Sequence, residues 1–298
     1  MYEQISRNRR RSILLVLLVL ALAVGIGYLF GELFAIGPAG AVVALVIALA
    51  MSLSSYFFGD RIVLRVSKAR PATRETHPRL INIVEGLCIA SGLPMPKVYV
   101  VPEEAPNAFA TGRTPETASI AVTEGLLRDL DRLELEGVIA HELSHVKNRD
   151  ILVGTLVATL VGVVVLLADW MRRALFWGGR STGRGRGWPV GAALFAVGML
   201  LSILAPLGAQ LIRFAVSRRR EYLADADGAL MTRYPPGLAS ALRKIANAPN
   251  RMRVTNNATA HLWFSQPSRI EGPGVSWFER MFSTHPPVEE RVRALEEM

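Results

Sequence analysis

The chain holds one cysteine, Cys88, among 298 residues. A single thiol excludes an intramolecular disulfide and a thiolate metal cage, and in a half-apolar, helix-forming stretch it reads as a small core residue. Histidine is nearly as scarce, with five in all. Metal or proton-transfer chemistry must therefore draw on His77, His141, His145, His261 and His285. Acidic residues are in deficit: 25 Asp and Glu against 34 Lys and Arg leave a formal charge of +9. Such a balance suits nucleic acid or an anionic membrane surface. The chain lacks an aromatic-interleaved basic patch and zinc-knuckle spacing, and its arginines cluster beside apolar runs. They read as membrane-flanking charge, and nucleic acid is not expected as a partner. No internal repeat is present.

What the chain has instead is apolar length. Hydrophobic residues make up 51% and mean hydropathy is +0.30, too high for an ordinary soluble enzyme. Four runs carry the excess, at residues 13–30, 38–58, 151–170 and 190–216, each long enough to cross a hydrocarbon core as a helix. Arg7, Arg9, Arg10 and Arg11 precede the first run, and Arg61, Arg65, Lys68, Arg70 and Arg74 follow the second. Only Glu32 lies in the loop between. Both flanks are therefore expected in the cytoplasm. A signal peptide is the alternative for the first run, but no small-x-small cleavage site ends it and a second run follows at once. The Gly/Arg-rich stretch 177–188 opposes the charge rule if the third and fourth runs both span, so that hairpin is either an exception or re-entrant.

Between and after these runs the chain reads as α+β and mostly helical. Leu80, Ile83, Val84 and Leu87 recur at helical spacing up to Ser91-Gly92. Strands are expected at 97–101, 107–111 and 119–123, with a turn at 112–115. One or two helices follow over 124–148, and others near 221–231, 238–246 and from Val288. Four parts result: a transmembrane hairpin (1–60), a first catalytic segment (61–150), a second hairpin (151–216) and a second catalytic segment (217–298).

Residues 141–145 read His-Glu-Leu-Ser-His. At i and i+4 of one helix both imidazoles can reach one metal ion, with Glu142 next to its bound water rather than on the metal. Leu135, Val138, Ile139 and Leu143 supply the apolar side of that helix. Zinc suits such donors, and a catalytic site keeps a position open for water. A third ligand is needed. Glu221 is the leading candidate because Asp225, four residues on, is placed to accept a hydrogen bond from a ligand histidine; His261 and His285 compete with it. His285, held before two prolines, and Arg291 read either as a turn with an exposed helix or as donors to charge developing on a carbonyl.

Four ordered motifs, 106–112 (PNAFATG), 141–150 (HELSHVKNRD), 221–225 (EYLAD) and 283–287 (STHPP) with Arg291, resemble the HtpX-type membrane zinc endopeptidases, relatives of the Ste24 CAAX prenyl proteases. The resemblance spans nearly the whole chain. It implies a gluzincin-like, zincin-type catalytic domain facing the cytoplasm from a multi-pass cell membrane protein, with one zinc ion on His141, His145 and Glu221 and Glu142 as general base. It further implies a substrate-binding strand at Asn107, Ala108 and Phe109, transition-state assistance from His285 and Arg291, and membrane-protein or peptide substrates in quality control. A non-catalytic membrane scaffold or transporter is the competing class, although no run carries a central ionisable pair. A prenyl-CAAX processing enzyme is a third reading.

Overall fold

The computed structural model describes residues 2–33, 37–160, 218–250, 252, 262–265 and 286–298. The stretch 177–188, the run 190–216 and His285 lie outside them, as does the second half of the run 151–170. Helix α1 (Tyr2–Leu33) starts well before the first apolar run and carries it without a break. Helix α2 (Ala39–Val66) takes in the second run and continues eight residues past it. The extension has a physical cause: Val63 and Leu64 are buried in the domain, packed with Val101, Ala105, Phe109, Ala121 and Trp263. Leaving the apolar run does not end the helix, because its last turns find a second core to enter. Among the described residues, α2 is the one helix long and apolar enough to cross a membrane. Ile13, Leu14, Leu17 and Leu18 of α1, and Val42, Val43, Val46 and Ile47 of α2, lie half exposed. The two helices pack closely where a Cβ at Gly27 would collide with Ala44 and the Gly40 carbonyl, the small-residue contact that lets apolar helices approach.

The sheet has the order β1-β2-β4-β3, with β1 (Arg70–Pro71), β2 (Lys97–Val101), β3 (Ala108–Thr111) and β4 (Ser119–Thr123). β2 runs parallel to β4 and β3 antiparallel to it, with Ala108 opposite Val122 and Thr111 opposite Ser119. β1, absent from the sequence reading, is two residues long and pairs with β2. Both faces of the sheet are covered, which explains why β4 is buried at every position. Val98, Val100, Ala108, Ala110, Ile120 and Val122 face one core, shared with helices α3 (Pro78–Ser91) and α5 (Arg132–Lys147). Val101, Phe109 and Ala121 face the other. Burial on two faces suits uninterrupted apolar strands rather than alternating ones.

Residues 124–147 form two helices, α4 (Glu124–Asp129) and α5, because each has its own cap. Thr123 Oγ1 accepts the Leu126 amide. Asp131 and Glu134 form a reciprocal box: the Asp131 carboxylate takes the Glu134 amide, and Glu134 takes the Asp131 amide, satisfying two donors at the helix start. After a turn at 148–149, helix α6 starts at Asp150 and is described to Leu160. Helices α7 (Arg218–Thr232), α8 (Pro235–Asn247) and α9 (Val288–Glu296) complete the fold. α5 packs on both α7 and α8, and one core runs through the sheet, α3, α5, α7, α8 and α9.

Candidate active site

Helix α5 buries Leu135, Val138, Ile139, Leu143 and Val146 in the main core, and its His141, Glu142 and His145 project toward α7 and the edge of β3. Their partner α7 comes unusually close. A Cβ built at Gly228 would stand 3.0 Å from the His141 backbone nitrogen, so glycine there sets the helix separation that brings Glu221 to the two histidines.

The three side chains converge. His141 Nε2 and His145 Nε2 are 3.2 Å apart. Glu221 Oε2 lies 3.8 Å from the first and Oε1 3.7 Å from the second. Each imidazole is held from behind by a carboxylate: Asp225 Oδ1 is 2.8 Å from His141 Nδ1, and Asp150 Oδ2 is 3.1 Å from His145 Nδ1. With both Nδ1 atoms donating to carboxylates, the neutral rings that a metal requires turn both Nε2 lone pairs toward each other. Two lone pairs and a carboxylate turned toward one point repel unless a cation sits between them. Tetrahedral ligands at about 2.1 Å from one ion stand roughly 3.4 Å apart, close to the separations here. The residues fit a single zinc ion.

The charges agree. Burial pushes His141 down to about 4, against the hydrogen bond and charge of Asp225. Burial acts in the same direction on His145, but Asp150, Glu221 and Glu142 overcome it and lift that ring to about 9. Burial pushes Glu142 up to about 7, with the charge of Glu221 adding to it and His145, Arg291 and a hydrogen bond from the Ala110 amide opposing it. The carboxylates of Asp150, Glu221 and Glu142 that lift His145 would equally favour a metal cation between the two rings, which bind it in their neutral form.

Arg291 stands elsewhere than a residue aimed at substrate would. It is 1% exposed. Its Nε and Nη2 donate to both oxygens of Asp225 at 2.7 and 2.6 Å, and Nη2 lies 3.5 Å from His141 Nδ1. That is the edge of His141 opposite the Nε2 facing His145 and Glu221. Asp225 is held below the usual carboxylate range: burial pushes it up, but the charge and hydrogen bonds of Arg291 and the bond from His141 pull it down further.

The stretch 107–109 is partly covered by the chain itself. In the β3–β4 ladder Asn107, Phe109 and Thr111 turn their peptide groups to β4, so Ala108 and Ala110 turn theirs to the open edge. The Ala108 carbonyl accepts the Phe264 amide at 2.7 Å. Asn107 brackets Ser265, donating to its carbonyl at 2.8 Å and accepting its amide at 3.0 Å. Phe109 is buried with its ring edge-on to Trp263 at 4.7 Å. At Ala110 the edge meets the chemistry, since its backbone amide lies near enough to Glu142 to oppose the rise of that carboxyl. Sequence reasoning missed Phe264, whose ring packs against His141 at 5.0 Å and under the Arg291 guanidinium at 5.1 Å. The Trp-Phe pair in a polar stretch was the available signal.

Residues 74–298 match the model of peptidase family M48. Over 299 residues the chain is 46% identical to a Tropheryma whipplei protein named Protease HtpX homolog, covering 100% of this chain and 98% of that one. A Pyrococcus furiosus protein of the same name is 47% identical over 287 residues, 96% of this chain and 94% of the relative. In fold the chain is similar to the crystal structure of S. mikatae Ste24p, with a TM-score of 0.50, 18% identity, and coverage of 99% of this chain and 67% of that one. With the family match running through both histidines, Glu221 and Arg291, this chain belongs to peptidase family M48 and is a metalloprotease.

Proposed function

We propose that the chain is a multi-pass membrane zinc endopeptidase that cuts misfolded or damaged membrane proteins close to the cytoplasmic surface of the bilayer. The observation that carries the zinc assignment is the pair of imidazole acceptors 3.2 Å apart, each locked in that tautomer by its own carboxylate, with Glu221 closing the set. His141, His145 and Glu221 would hold the zinc ion, which would supply Lewis acidity and lower the pKa of a water at the site toward about 7. Glu142 takes the proton of the attacking water and delivers it to the leaving nitrogen. The Ala110 backbone lies beside Glu142 and favours its charged form, which puts that carboxylate at the strand edge. Asp225 and Asp150 hold the two imidazoles, and Arg291 is a positioning residue that neutralises Asp225. His285 is the donor assigned to the oxyanion.

The substrate would lie as an extended peptide along β3. Its pairing starts at Ala110, beside Glu142, and reaches Asn107 to Phe109 only where residues 262–265 give way. The bilayer assignment is supported by the half-exposed apolar faces of α1 and α2. Apolar helix α6 also begins three residues after α5 ends, which keeps the site near the membrane. The two catalytic segments, 61–150 and 217–298, would thus be one unit interrupted by a hairpin.

The test is cleavage of casein by detergent-purified protein, wild type against Glu142→Gln, after chelation and after zinc is returned. Zinc-restored cleavage in the wild type alone is expected. Absence of stoichiometric zinc in both proteins would overturn the metal assignment. Equal cleavage by both would overturn the role of Glu142.

A further inference from the structure

The carboxylate behind His145 is itself held, and one of its holders comes from the far end of the chain. Asn8 of α1 is buried. Its Nδ2 donates to Asp150 Oδ1 at 2.6 Å and to the Asn148 carbonyl at 2.9 Å. Both partners are acceptors, so the amide orientation is set by the network and both of its protons are used. Arg220 Nη1 adds a longer contact of 3.4 Å to the same Asp150 oxygen. With Oδ1 taken, Asp150 presents Oδ2 to His145 Nδ1. The relay runs from α1 to a metal ligand in three side chains.

The rest of that helix face keeps Asn8 in register. Asn8, Ser12, Leu15, Val16 and Val19 recur at 3.6-residue spacing. The Ser12 hydroxyl donates to the Asn8 carbonyl. Leu15, Val16 and Val19 pack against Val153, Leu156, Val157 and Leu160 of α6, the helix that Asp150 begins. An apolar seam thus sets the height of α1, and at its foot a single amide reads that height out to the turn between α5 and α6. A one-turn slide of α1 would move Asn8 by about 5.4 Å and break both bonds.

We propose that Asn8 is a positioning residue of the metal centre: it fixes the rotamer of Asp150 and, through Asp150, the ring orientation and tautomer of His145. The inference rests on the metal-centre assignment above. Outer hydrogen-bond partners of this kind cost about 10–100-fold in metal affinity or activity when removed. Asn8 stands one bond further out than Asp150, so the lower end applies. A packing role for Asn8 is the alternative, and Ser12 is the control for it. Ser12 is also buried, sits one turn away and, among the described residues, bonds within the helix, so Ser12→Ala should leave the centre unchanged.

The experiment uses full-length protein in detergent. Wild type, Asn8→Leu, Asn8→Ala and Ser12→Ala are compared for zinc affinity against a chromophoric chelator, for the visible spectrum with cobalt in place of zinc, for kcat and KM on casein, and for Tm without metal. The expected result is about a 10-fold loss of zinc affinity in both Asn8 variants, a displaced cobalt spectrum, and a lower kcat at unchanged KM. Ser12→Ala should match wild type. In an Asp150→Asn background the Asn8 substitutions should change zinc affinity no further. If wild type binds metal and the Asn8 variants bind it equally with the same spectrum, the proposal is wrong and the metal centre stands. If Ser12→Ala and Asn8→Ala lose affinity and Tm alike, the role is packing and the proposal is also wrong. If wild type takes up neither zinc nor cobalt, the metal-centre assignment itself fails.

Discussion

Substituting Arg291 by methionine separates two roles that one residue cannot hold equally. Methionine keeps the buried apolar length and removes the charge and both donors. Asp225, 2% exposed, would lose bonds of 2.7 and 2.6 Å and keep only His141. Breaking one side of a buried ion pair costs about 3–5 kcal/mol, chiefly the charge left uncompensated. At roughly 2–4 °C per kcal/mol for a domain of this size, Tm should fall by around 10 °C. With burial no longer offset at Asp225, its hold on the His141 tautomer weakens, and zinc affinity should drop about 10–100-fold. Titration against a chelator and thermal unfolding of the same preparations measure both. Arg291→Lys should fall between, because an ammonium cannot bridge both oxygens as the planar guanidinium does. The double variant Arg291→Met/Asp225→Asn should lose clearly less stability than the two single losses added. An unchanged Tm and zinc affinity with a collapsed kcat would refute this account and return Arg291 to the substrate side, where the family resemblance puts it.

Three other perturbations follow from the same geometry. Phe264→Ala removes a buried ring shared by His141 and Arg291 and should destabilise by about 3–5 kcal/mol, seen as a lower midpoint in chemical denaturation. Asn107→Ala removes both bonds to Ser265. The Phe264 amide should then exchange its hydrogen about 10–100-fold faster, as expected for about 1–3 kcal/mol of lost local stability. Gly228→Val places a branched side chain against the His141 backbone, forces α7 outward, and should abolish stoichiometric zinc while leaving the helical circular dichroism intact.

What the sequence disclosed and what it withheld divides along the range of the interactions. The helix of His141 and His145 was legible because an i, i+4 pair needs only one helix, and the Asp131–Glu134 box that starts it is local too. Glu221 with Asp225 was legible by the same spacing, although nothing local brings α7 to α5. That depends on Gly228, whose meaning appears only when two helix backbones meet at 3.0 Å. The end of α2 was misplaced because hydropathy stops at residue 58 while Val63 and Leu64 continue the helix into a different core. The splitting of 124–147 was left open, though Thr123 and Asp131 were both cap residues in plain sight. The pairing of Phe264 with Ala108 joins residues 156 positions apart, as 264 minus 108 gives, and Asn8 joins Asp150 over 142; no periodicity encodes either contact.

Arg291 shows most clearly why the long-range part matters for function. Read along the chain, it stands six residues after His285, and the family resemblance implies a shared role at the transition state. In space, its fork closes on Asp225, sixty-six residues earlier, and its charge falls behind His141 instead of on the side where His141, His145 and Glu221 converge. A guanidinium in that position does not touch the reacting atoms. It lets a buried carboxylate stay ionised, which lets His141 keep its proton on Nδ1 and its lone pair on Nε2. On the other side of the centre Asp150 does the same for His145, with Asn8 and Arg220 in place of Arg291. The two ligands thus have separate supports of different kinds. One is a buried arginine forked onto Asp225 inside the domain; the other is chiefly an amide on the first apolar helix, with Arg220 at a longer 3.4 Å. Losing the first should cost folding stability and metal together. Losing the second should cost metal with a smaller fall in Tm, because a neutral amide takes away two hydrogen bonds from Asp150 and the Asn148 carbonyl but no countercharge.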